Sequence, residues 1–447
     1  MSDLDTAPGG WVRTTLGDLG VYINGRAFKS SEWSLTGRPI VRIQDLTGSN
    51  RNPHYFDGDV EERYVVRPGD LLVSWSATLG AYIWDGPEAV LNQHIFKVKS
   101  KIDQRLHYHL IRESLAELYE TAHGSGMVHV TKDLFDGLPV TLPADRAAQS
   151  ELAALLDSVE ESHESSLGYL NVARLAIERL RTATLNAACS GRLTEAWRHE
   201  HENPGSVDHV LALARERREE EQGRRYREPE LNKHAEDVTP PETWVLSPTG
   251  LLLESLKYGT SKRSEYGCGG VAVLRIPNVS AGRTDLTDLK FAELTEHEIR
   301  NLALRVSDLL LIRSNGSPQL VGRTVMVSAE AEGMAYAGYL MRLRVDCSIC
   351  EPSYLALSLA SPYVRRQIEM PLRSTSGVHN INTDEVRGLA IPLPPIDEQL
   401  VIVERASATL TAADRLLHLI RDASRASDRT FQAVLRKAFR GELARAS

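Results

Sequence analysis

Ile40-Val41-Arg42-Ile43-Gln44-Asp45-Leu46-Thr47-Gly48 recurs, with changes, as Val273-Leu274-Arg275-Ile276-Pro277-Asn278-Val279-Ser280-Ala281-Gly282. Three further phrases follow in the same order. Arg67-Pro68-Gly69-Asp70-Leu71-Leu72-Val73-Ser74 is answered by Arg305-Val306-Ser307-Asp308-Leu309-Leu310-Leu311-Ile312. Gly137 to Pro143 is answered by Gly388 to Pro394, and Thr184 to Leu193 by Val434 to Leu443. The chain of 447 residues is therefore a duplicated unit of about half its length, too long a period for a solenoid. Two diverged copies of one module give pseudo-two-fold symmetry, which suits a target read in two parts.

Each copy opens on a strand-rich pattern. From Trp11 to about Pro143, and again from Trp244 to about Pro395, short apolar runs alternate with Gly, Asn, Asp and Pro clusters. One helical patch interrupts the first copy near Tyr108 to Tyr119. Each copy closes on a long helical pattern. Arg146 to Ala188 has no proline and one glycine, Gly168. There Leu152, Val159, Ala173, Leu180 and Ala187 keep seven-residue spacing, interrupted at Ser166. In Asp397 to Arg440 the series is Val403, Leu410, Leu417, Phe431 and Ala438, interrupted at Ser424. Such spacing marks a seam that packs on another helix, and each helix would reach on the order of 60 Å. The pseudo-two-fold axis predicts that the pair is antiparallel, with one strand-rich module at each end.

The fold class expected is α+β: two pseudo-two-fold related strand-rich recognition domains separated by a pair of long, coiled-coil-like antiparallel helices. The boundaries expected are 1–143 for the first module, 144–198 for a central helical spacer, 199–241 for a charged linker, 242–395 for the second module and 396–447 for a distal helical spacer. Arg215 to Glu228 in the linker mixes Arg with Glu and reads as a solvated helix. Contacts of Arg224, Arg225 and Arg227 with nucleic acid are the lesser reading, because neighbouring glutamates offset them.

Composition fits a globular protein with sizeable cores, at 42% hydrophobic and 25% charged residues. No run approaches the ~18 apolar residues of a membrane span, and Met1 to Gly10 lacks the apolar stretch of a signal peptide. A cytoplasmic location is expected. Four cysteines exclude a disulfide framework. Cys347-Ser348-Ile349-Cys350 has the spacing of half a zinc site, but only Cys268 could join it, so buried thiols and no metal are expected. The net charge of −8 weighs against DNA binding on average, although binding depends on where charges cluster.

The tools of catalysis are missing. There is no phosphate loop, no dinucleotide-binding glycine turn, no His-Glu-x-x-His and no Gly-x-Ser-x-Gly. Asn52-Pro53-His54-Tyr55 resembles the motif with which amino-group methyltransferases hold a flipped base, but His54 replaces a proline and no cofactor loop accompanies it. His94, His107, His109 and His129 show no ligand spacing. His107 and His109, two apart, would point to different faces of a helix.

What remains is binding chemistry. Arg, Asn, Gln, Ser and Thr read base edges. The first module offers Arg42, Gln44, Arg51, Asn52, Ser74, Ser76, Thr78, Asn92, Gln93 and His94. The second offers Arg275, Asn278, Arg283, Arg313, Ser314, Asn315, Ser317 and Gln319. A later loop pair matches Ser125 and His129 with Ser376, His379 and Asn380, where small residues let backbone amides approach phosphates. Equivalent loops recur with different contents. Ser74-Trp75-Ser76-Ala77-Thr78 stands opposite Arg313-Ser314-Asn315-Gly316-Ser317, as two different half-sites would require.

This order of module, long helix, module, long helix resembles the specificity subunit of Type I restriction-modification systems. The resemblance spans nearly the whole chain. It rests on Pro68-Gly69-Asp70-Leu71-Leu72 with Gly80 downstream, Ser307-Asp308-Leu309-Leu310, Leu142-Pro143, Pro394-Pro395-Ile396-Asp397-Glu398-Gln399, Gly191-Arg192-Leu193 and Gly441-Glu442-Leu443. Two departures touch scaffold turns: Ala144 to Gln149 replaces the fuller Pro-to-Glu-Gln phrase, and Ser307 stands where a glycine is usual. The resemblance implies a non-catalytic chain whose modules each read half of a bipartite DNA site. The helices would set the unread spacer and dock two modification subunits that methylate adenine with S-adenosylmethionine. A restriction subunit using ATP and Mg2+ would join them. The other readings are a single-chain methyltransferase, a scaffold binding two copies of a protein partner, and the recognition subunit of a nuclease-free phage-defence methylation system.

Overall fold

The turn at Pro68-Gly69-Asp70 launches Leu71–Ser74, a strand whose four side chains are all buried because its sheet is covered on both faces. The computed structural model describes residues 9–50, 52–76, 78–121, 131–201, 207–233, 235, 239–267, 269–280, 282–372 and 379–443. It falls into two units, Met1–Ala173 with Ile420–Ser447, and Arg174–Leu419.

In the first unit a four-stranded antiparallel sheet has the order Gly20–Asn24, Ile95–Ser100, Leu71–Ser74, Gly80–Ile83. On one face Leu71, Val73, Phe96 and Val98 meet Leu106, Leu110 and Ile111 of the helix Gln104–Thr121, with Phe135. On the other, Leu72 and Ile95 meet Val41, Val66, Ala89 and Leu91. Those belong to a second sheet, ordered Tyr55–Phe56, Arg38–Val41, Ala89–Leu91, Val65–Val66, in which Arg38–Val41 runs parallel to Ala89–Leu91. The pair Trp11–Thr15 and Pro139–Pro143 closes the module just before the long helix.

The second unit repeats this order, except that among the described residues its smaller sheet has no counterpart of Val65–Val66. Its larger sheet runs Leu253–Tyr258, Leu340–Val345, Leu309–Ile312, Thr324–Met326. Its smaller sheet runs Lys290–Ala292, Val271–Leu274, Ala335–Tyr336, with the parallel pair again between Val271–Leu274 and the strand after it. Val245–Pro248 and Ala390–Leu393 close it. The repeated phrases are thus a repeated topology.

The tight turn tolerates its lost glycine at a cost. Gly69 lies at φ +91° and Ser307 at φ +70°, the one left-handed non-glycine among the described residues. Both turns are held by the aspartate that follows. Asp70 accepts from the Arg67 amide at 2.7 Å and pairs with Lys97 Nζ at 2.6 Å. Asp308 accepts from the Arg305 amide at 2.8 Å and from the Arg344 fork at 2.8 and 2.6 Å. Left-handed geometry costs an L-residue ~1–2 kcal/mol, part of which glycine returns through its extra freedom when unfolded. Ser307→Gly is expected to stabilise the second unit by roughly 0.5–1 kcal/mol. The check is a higher urea midpoint at an unchanged slope; a lower midpoint would contradict it.

The long helices are Arg146–Cys189 and Ile396–Phe439, 44 residues each. Gly441 at φ +71° ends the second: its amide bonds Ala438 O at 3.0 Å and the Glu442 amide bonds Lys437 O at 2.9 Å, a Schellman cap. Gly191, at φ +77°, follows the first. Within each unit the helices run antiparallel. In the first, His163 stacks on Phe431 (4.8 Å, 3°) and bonds Ser427 Oγ at 2.9 Å. In the second, Arg181 pairs with Asp414, and further along the chain Leu193 O accepts from Arg405 at 3.0 Å.

The seam of the second helix follows the expected series, with Ser424 half-buried within it. In the first helix Leu152, Val159, Ala173 and Ala187 hold to it, and Leu180 departs from it. Leu180 and Ser166 are exposed, and His163, Leu167, Leu170, Arg174, Ile177, Arg181, Thr184 and Ala188 line the inner side. A straight helix drifts by about 20° per seven residues, so a series begun at Leu152 runs to the edge of the contact line further along.

The charged stretch after residue 199 is not a solvated linker. Its helix Val207–Gln222 lays Val207, Leu211, Ala214 and Arg218 on the core of the second unit. Arg218 bonds Leu253 O at 2.9 Å, and Arg217 pairs with Asp346. The alternating charges are the outer face of an amphipathic helix.

Candidate nucleic-acid interface

Arg42 and Arg275 occupy the same place in the two modules. Each follows the strand of the smaller sheet that pairs in parallel, and each opens a short helical turn, Ile43–Leu46 and Ile276–Asn278. Each backbone amide is capped by the side chain three residues on, from Asp45 Oδ2 at 2.8 Å and Asn278 Oδ1 at 2.9 Å. Each guanidinium donates to a loop carbonyl, Asn52 O at 3.2 Å and Asp288 O at 2.9 Å. The Nε of each is buried without a partner among the described residues.

In the second module these loops surround a cleft of about 970 Å³. It gathers Arg275, Arg313, Ser314 and Asn380, all expected from the sequence, with Lys262, Arg263, Lys290, Tyr258 and Tyr339, which were not. Five cations surround the cleft, three of them paired with carboxylates: Lys262 with Glu298, Arg263 with Glu265 and Arg275 with Asp288. Arg313 lies over the Tyr258 ring at 4.6 Å, and Lys290 over Tyr266 at 4.6 Å. The floor is a close crossing of two strands. A Cβ on Gly259 would collide with the carbonyls of Tyr336 and Ala337, and one on Gly25 with Asn92 O at the matching place in the first module.

In the first module three loops converge. The Asn92 amide bonds Val41 O at 3.3 Å, beside Arg42. The Trp75 amide bonds His94 O at 3.5 Å, and the Trp75 ring leans on His94 at 5.7 Å. Gln93 bonds His94 at 3.2 Å, and Gln93, His94, Gln44 and Thr78 are exposed. The loop equivalence is one residue away from that read in the sequence. Arg313 donates its amide to Tyr339 O at 2.9 Å as Trp75 does to His94 O, so Trp75, not Ser74, stands opposite Arg313, and Ser76 opposite Ser314.

Residues 8–168 match the family model of the Type I restriction modification DNA specificity domain. The chain is similar to the specificity subunit of the Type I restriction enzyme EcoBI of Escherichia coli, 25% identical over 442 residues covering 97% of this chain and 86% of the relative. It is similar also to that of EcoKI from Escherichia coli strain K12, 26% identical over 463 residues, 98% and 90%. A solved chain from a study of complex assembly and conformational transition in a Type I system shares the fold, with TM-score 0.58 and 17% identity over 98% of this chain and 100% of the other.

Residues 8–168 thus match a DNA specificity domain, and nearly the whole chain is similar to specificity subunits of Type I restriction enzymes. A specificity subunit serves DNA recognition and is not itself the enzyme of its system. No helix among the described residues is long and apolar enough to cross a membrane.

Several candidate positions are engaged inside their own loops. Ser74 is buried and donates to Thr78 O at 2.5 Å. Asn278 is buried and donates to Asp285 O and Asp288 O at 2.9 Å. Ser76 is buried, and Asn92 is half-buried with its Oδ1 on the His94 amide at 3.4 Å. Asn315 accepts from the Ser317 amide at 2.8 Å, and Ser317 donates to Gln319 at 2.7 Å; none of the three lines the cleft. Arg283 is exposed, also off the cleft, and His379 pairs with Asn315 across Ser314–Asn315 and His379–Asn380. Arg51, Ser125, His129 and Ser376 lie outside the described residues, as does Cys268. Asn52 to Tyr55 forms a sheet edge, with His54 stacked on Trp33 at 3.8 Å. Cys350 is buried but Cys347 is exposed, contrary to the expectation for both.

Among the described residues one cluster has metal-ligand chemistry: His109, Asp157 and Glu160 bring ligand atoms within 4.8 Å. Their charge is already met. Arg105 binds Asp157 at 2.6 to 3.1 Å, Arg112 pairs with Glu160, and Tyr108 OH donates to Glu160 at 2.6 Å. Burial opposes ionisation of Asp157, but hydrogen bonds from Arg105 and His109 outweigh it and hold its carboxyl below the usual range. The cluster clamps Gln104–Thr121 to the first long helix.

Burial pushes His109 down to about 4, against the pull of Asp157. It pushes His107, bonded to Tyr22 OH at 2.8 Å and Ser100 Oγ at 2.9 Å, down to about 4 as well. Unfolded histidine titrates near 6.5. Below that pH the unfolded chain takes up protons that the folded unit refuses. The stabilisation is complete above about pH 6.5 and is lost as pH falls towards 4, by roughly 1 kcal/mol per pH unit for each histidine. Urea unfolding of the first unit at pH 7, 6 and 5 is expected to show this, with the slope about halved in His107→Gln. A flat profile would mean that these imidazoles are protonated in the fold.

Proposed function

We propose that each strand-rich module of this chain reads one half of a bipartite DNA sequence. The loops of Arg42, Gln44, Trp75 to Thr78 and Asn92 to His94 would serve one half, and the cleft of Arg275, Arg313, Ser314 and Asn380 the other. The observation that carries this is one topology built twice with different loop chemistry. Lys262, Arg263 and Lys290 suit phosphate contacts, which position a protein without reading sequence.

In this reading the long helices set the unread spacer and dock two adenine-methylating modification subunits. Apolar side chains exposed on them, Tyr169, Val172, Leu180, Leu416 and Leu419, support such docking. S-adenosylmethionine belongs to those partners, and ATP and Mg2+ to restriction subunits that join the same complex. Partner surfaces supply part of the charge that neutralises phosphates, and the site of action is the cytoplasm.

The test is a genome-wide map of N6-methyladenine in the source strain and in the same strain lacking this gene. Loss of methylation at one bipartite motif is expected. An unchanged map would remove the DNA-reading role.

A further inference from the structure

We propose that Arg313 is the specificity-determining residue of the second half-site, and that the base it fixes is guanine. This rests on the DNA-reading role proposed above.

The two modules supply an internal comparison. On one backbone geometry, residues that meet the DNA backbone have the same task in both copies, whereas two different half-sites require a difference at one or more of the residues that meet bases. Arg42 and Arg275 are the same residue, held the same way by a capped amide and a loop carbonyl. Ser76 and Ser314 are also the same, and both are buried. Trp75 and Arg313 differ, at the place where each chain leaves the central buried strand and bonds the loop opposite.

Arg313 is set up to read. Its guanidinium rests on the Tyr258 face at 4.6 Å and is tethered through Nη1 to Gly338 O at 3.3 Å. Its Nε is buried without a hydrogen-bond partner, and no carboxylate pairs with it among the described residues. Arg275 differs, since Asp288 Oδ2 takes its Nη2 at 2.9 Å. A planar fork already stacked and tethered loses little freedom on binding. Its remaining donors match O6 and N7 of guanine in the major groove, the pairing a bidentate arginine makes best. Trp75 has a single donor, Nε1, which is buried. The matching place in the first half-site is therefore not read by a fork.

The experiment uses the intact system: the source strain carrying Arg313→Ala or Arg313→Lys on the chromosome, with N6-methyladenine mapped genome-wide. In Arg313→Ala one G·C position in one half of the motif is expected to become degenerate, with discrimination falling roughly 5- to 150-fold. The other half stays intact, which also shows that the complex has assembled. Arg313→Lys keeps the stem and charge but not the fork, and is expected to relax the same position; it carries the test if the alanine variant does not accumulate. Relaxation at an A·T pair, an unchanged motif, or equal weakening at every site would overturn the assignment. If the wild-type gene directs no motif at all, the underlying DNA-reading role fails as well, an outcome distinct from the other three.

Discussion

Inserting seven residues into each long helix, after Gly168 and after Asp422, is expected to abolish methylation of the wild-type motif. Methylation should appear instead at a motif with the same two half-sites and a spacer longer by about three base pairs. Seven residues add ~10 Å to a helix, and base pairs rise about 3.4 Å each. If both modules must bind at once, moving one out of reach removes the advantage of linkage, roughly 10² to 10⁴ in affinity. The insertion has to be made in both helices, because pairs such as His163 with Phe431 and Arg181 with Asp414 lock them together. It has to be seven, because four residues would turn the seam away from its partner. Three base pairs also rotate the DNA by about a third of a turn, so the new site is bound less tightly than the old. Methylation maps of the variant read this directly. Altered half-sites, or an unchanged spacer, would sink the idea that the helices act as a ruler.

The second large effect is on stability. Glu398 is fully buried, and its carboxylate accepts from Arg198 at 2.5 Å, Thr194 Oγ1 at 2.6 Å and Trp244 Nε1 at 2.8 Å. Glu398→Ala leaves a nearly buried guanidinium without its counter-charge and an indole N–H without its acceptor, a loss of about 3–5 kcal/mol. Amide exchange in Val245–Pro248 and Ala390–Leu393 should quicken by roughly 10² to 10⁴-fold, with the first unit unaffected. Replacing both partners, Glu398→Leu with Arg198→Met, should recover most of the protection. A double variant no better than the single one would show that the pair is not the cause. The first copy manages without this pair. Gln149 repeats the bonds of Gln399, to a proline carbonyl at 2.9 Å and to a backbone amide, Asp103 N for the one and Glu351 N for the other. The residue before Gln149 is Ala148.

Phrases that set backbone turns were the most legible part of the sequence. A positive φ at Gly69 or a cap at Gly441 depends on a few adjacent residues, so the repeat could be read through them. Ser307 shows the limit, since its aspartate holds the turn without the glycine. Features that depend on residues brought from elsewhere were not legible. Val207, Leu211 and Ala214 form a helical stripe, but the dense charges between them masked it, and only the core they meet explains it. Tyr258 joins the cleft because Gly259 lets its strand cross Tyr336 and Ala337 closely, a contact with no local signature. The loop after Ser74 was misplaced by one residue, because serines on both sides of Trp75 offer two plausible registers. The bonds from Trp75 to His94 and from Arg313 to Tyr339 decide between them.

Phe431, Leu435, Ala438 and Phe439 are part of the hydrophobic core that also holds Leu71, Phe96 and Leu156. The first module is therefore completed by residues that lie more than 240 positions further along the chain than its own long helix. At about 5–20 residues per second, the apolar face of the nascent first helix waits on the order of 10–50 s for its cover. Slowed synthesis, or a stop codon before Phe431, should thus damage the first strand-rich module. The order of synthesis leaves the first half of the protein the more dependent on help from chaperones.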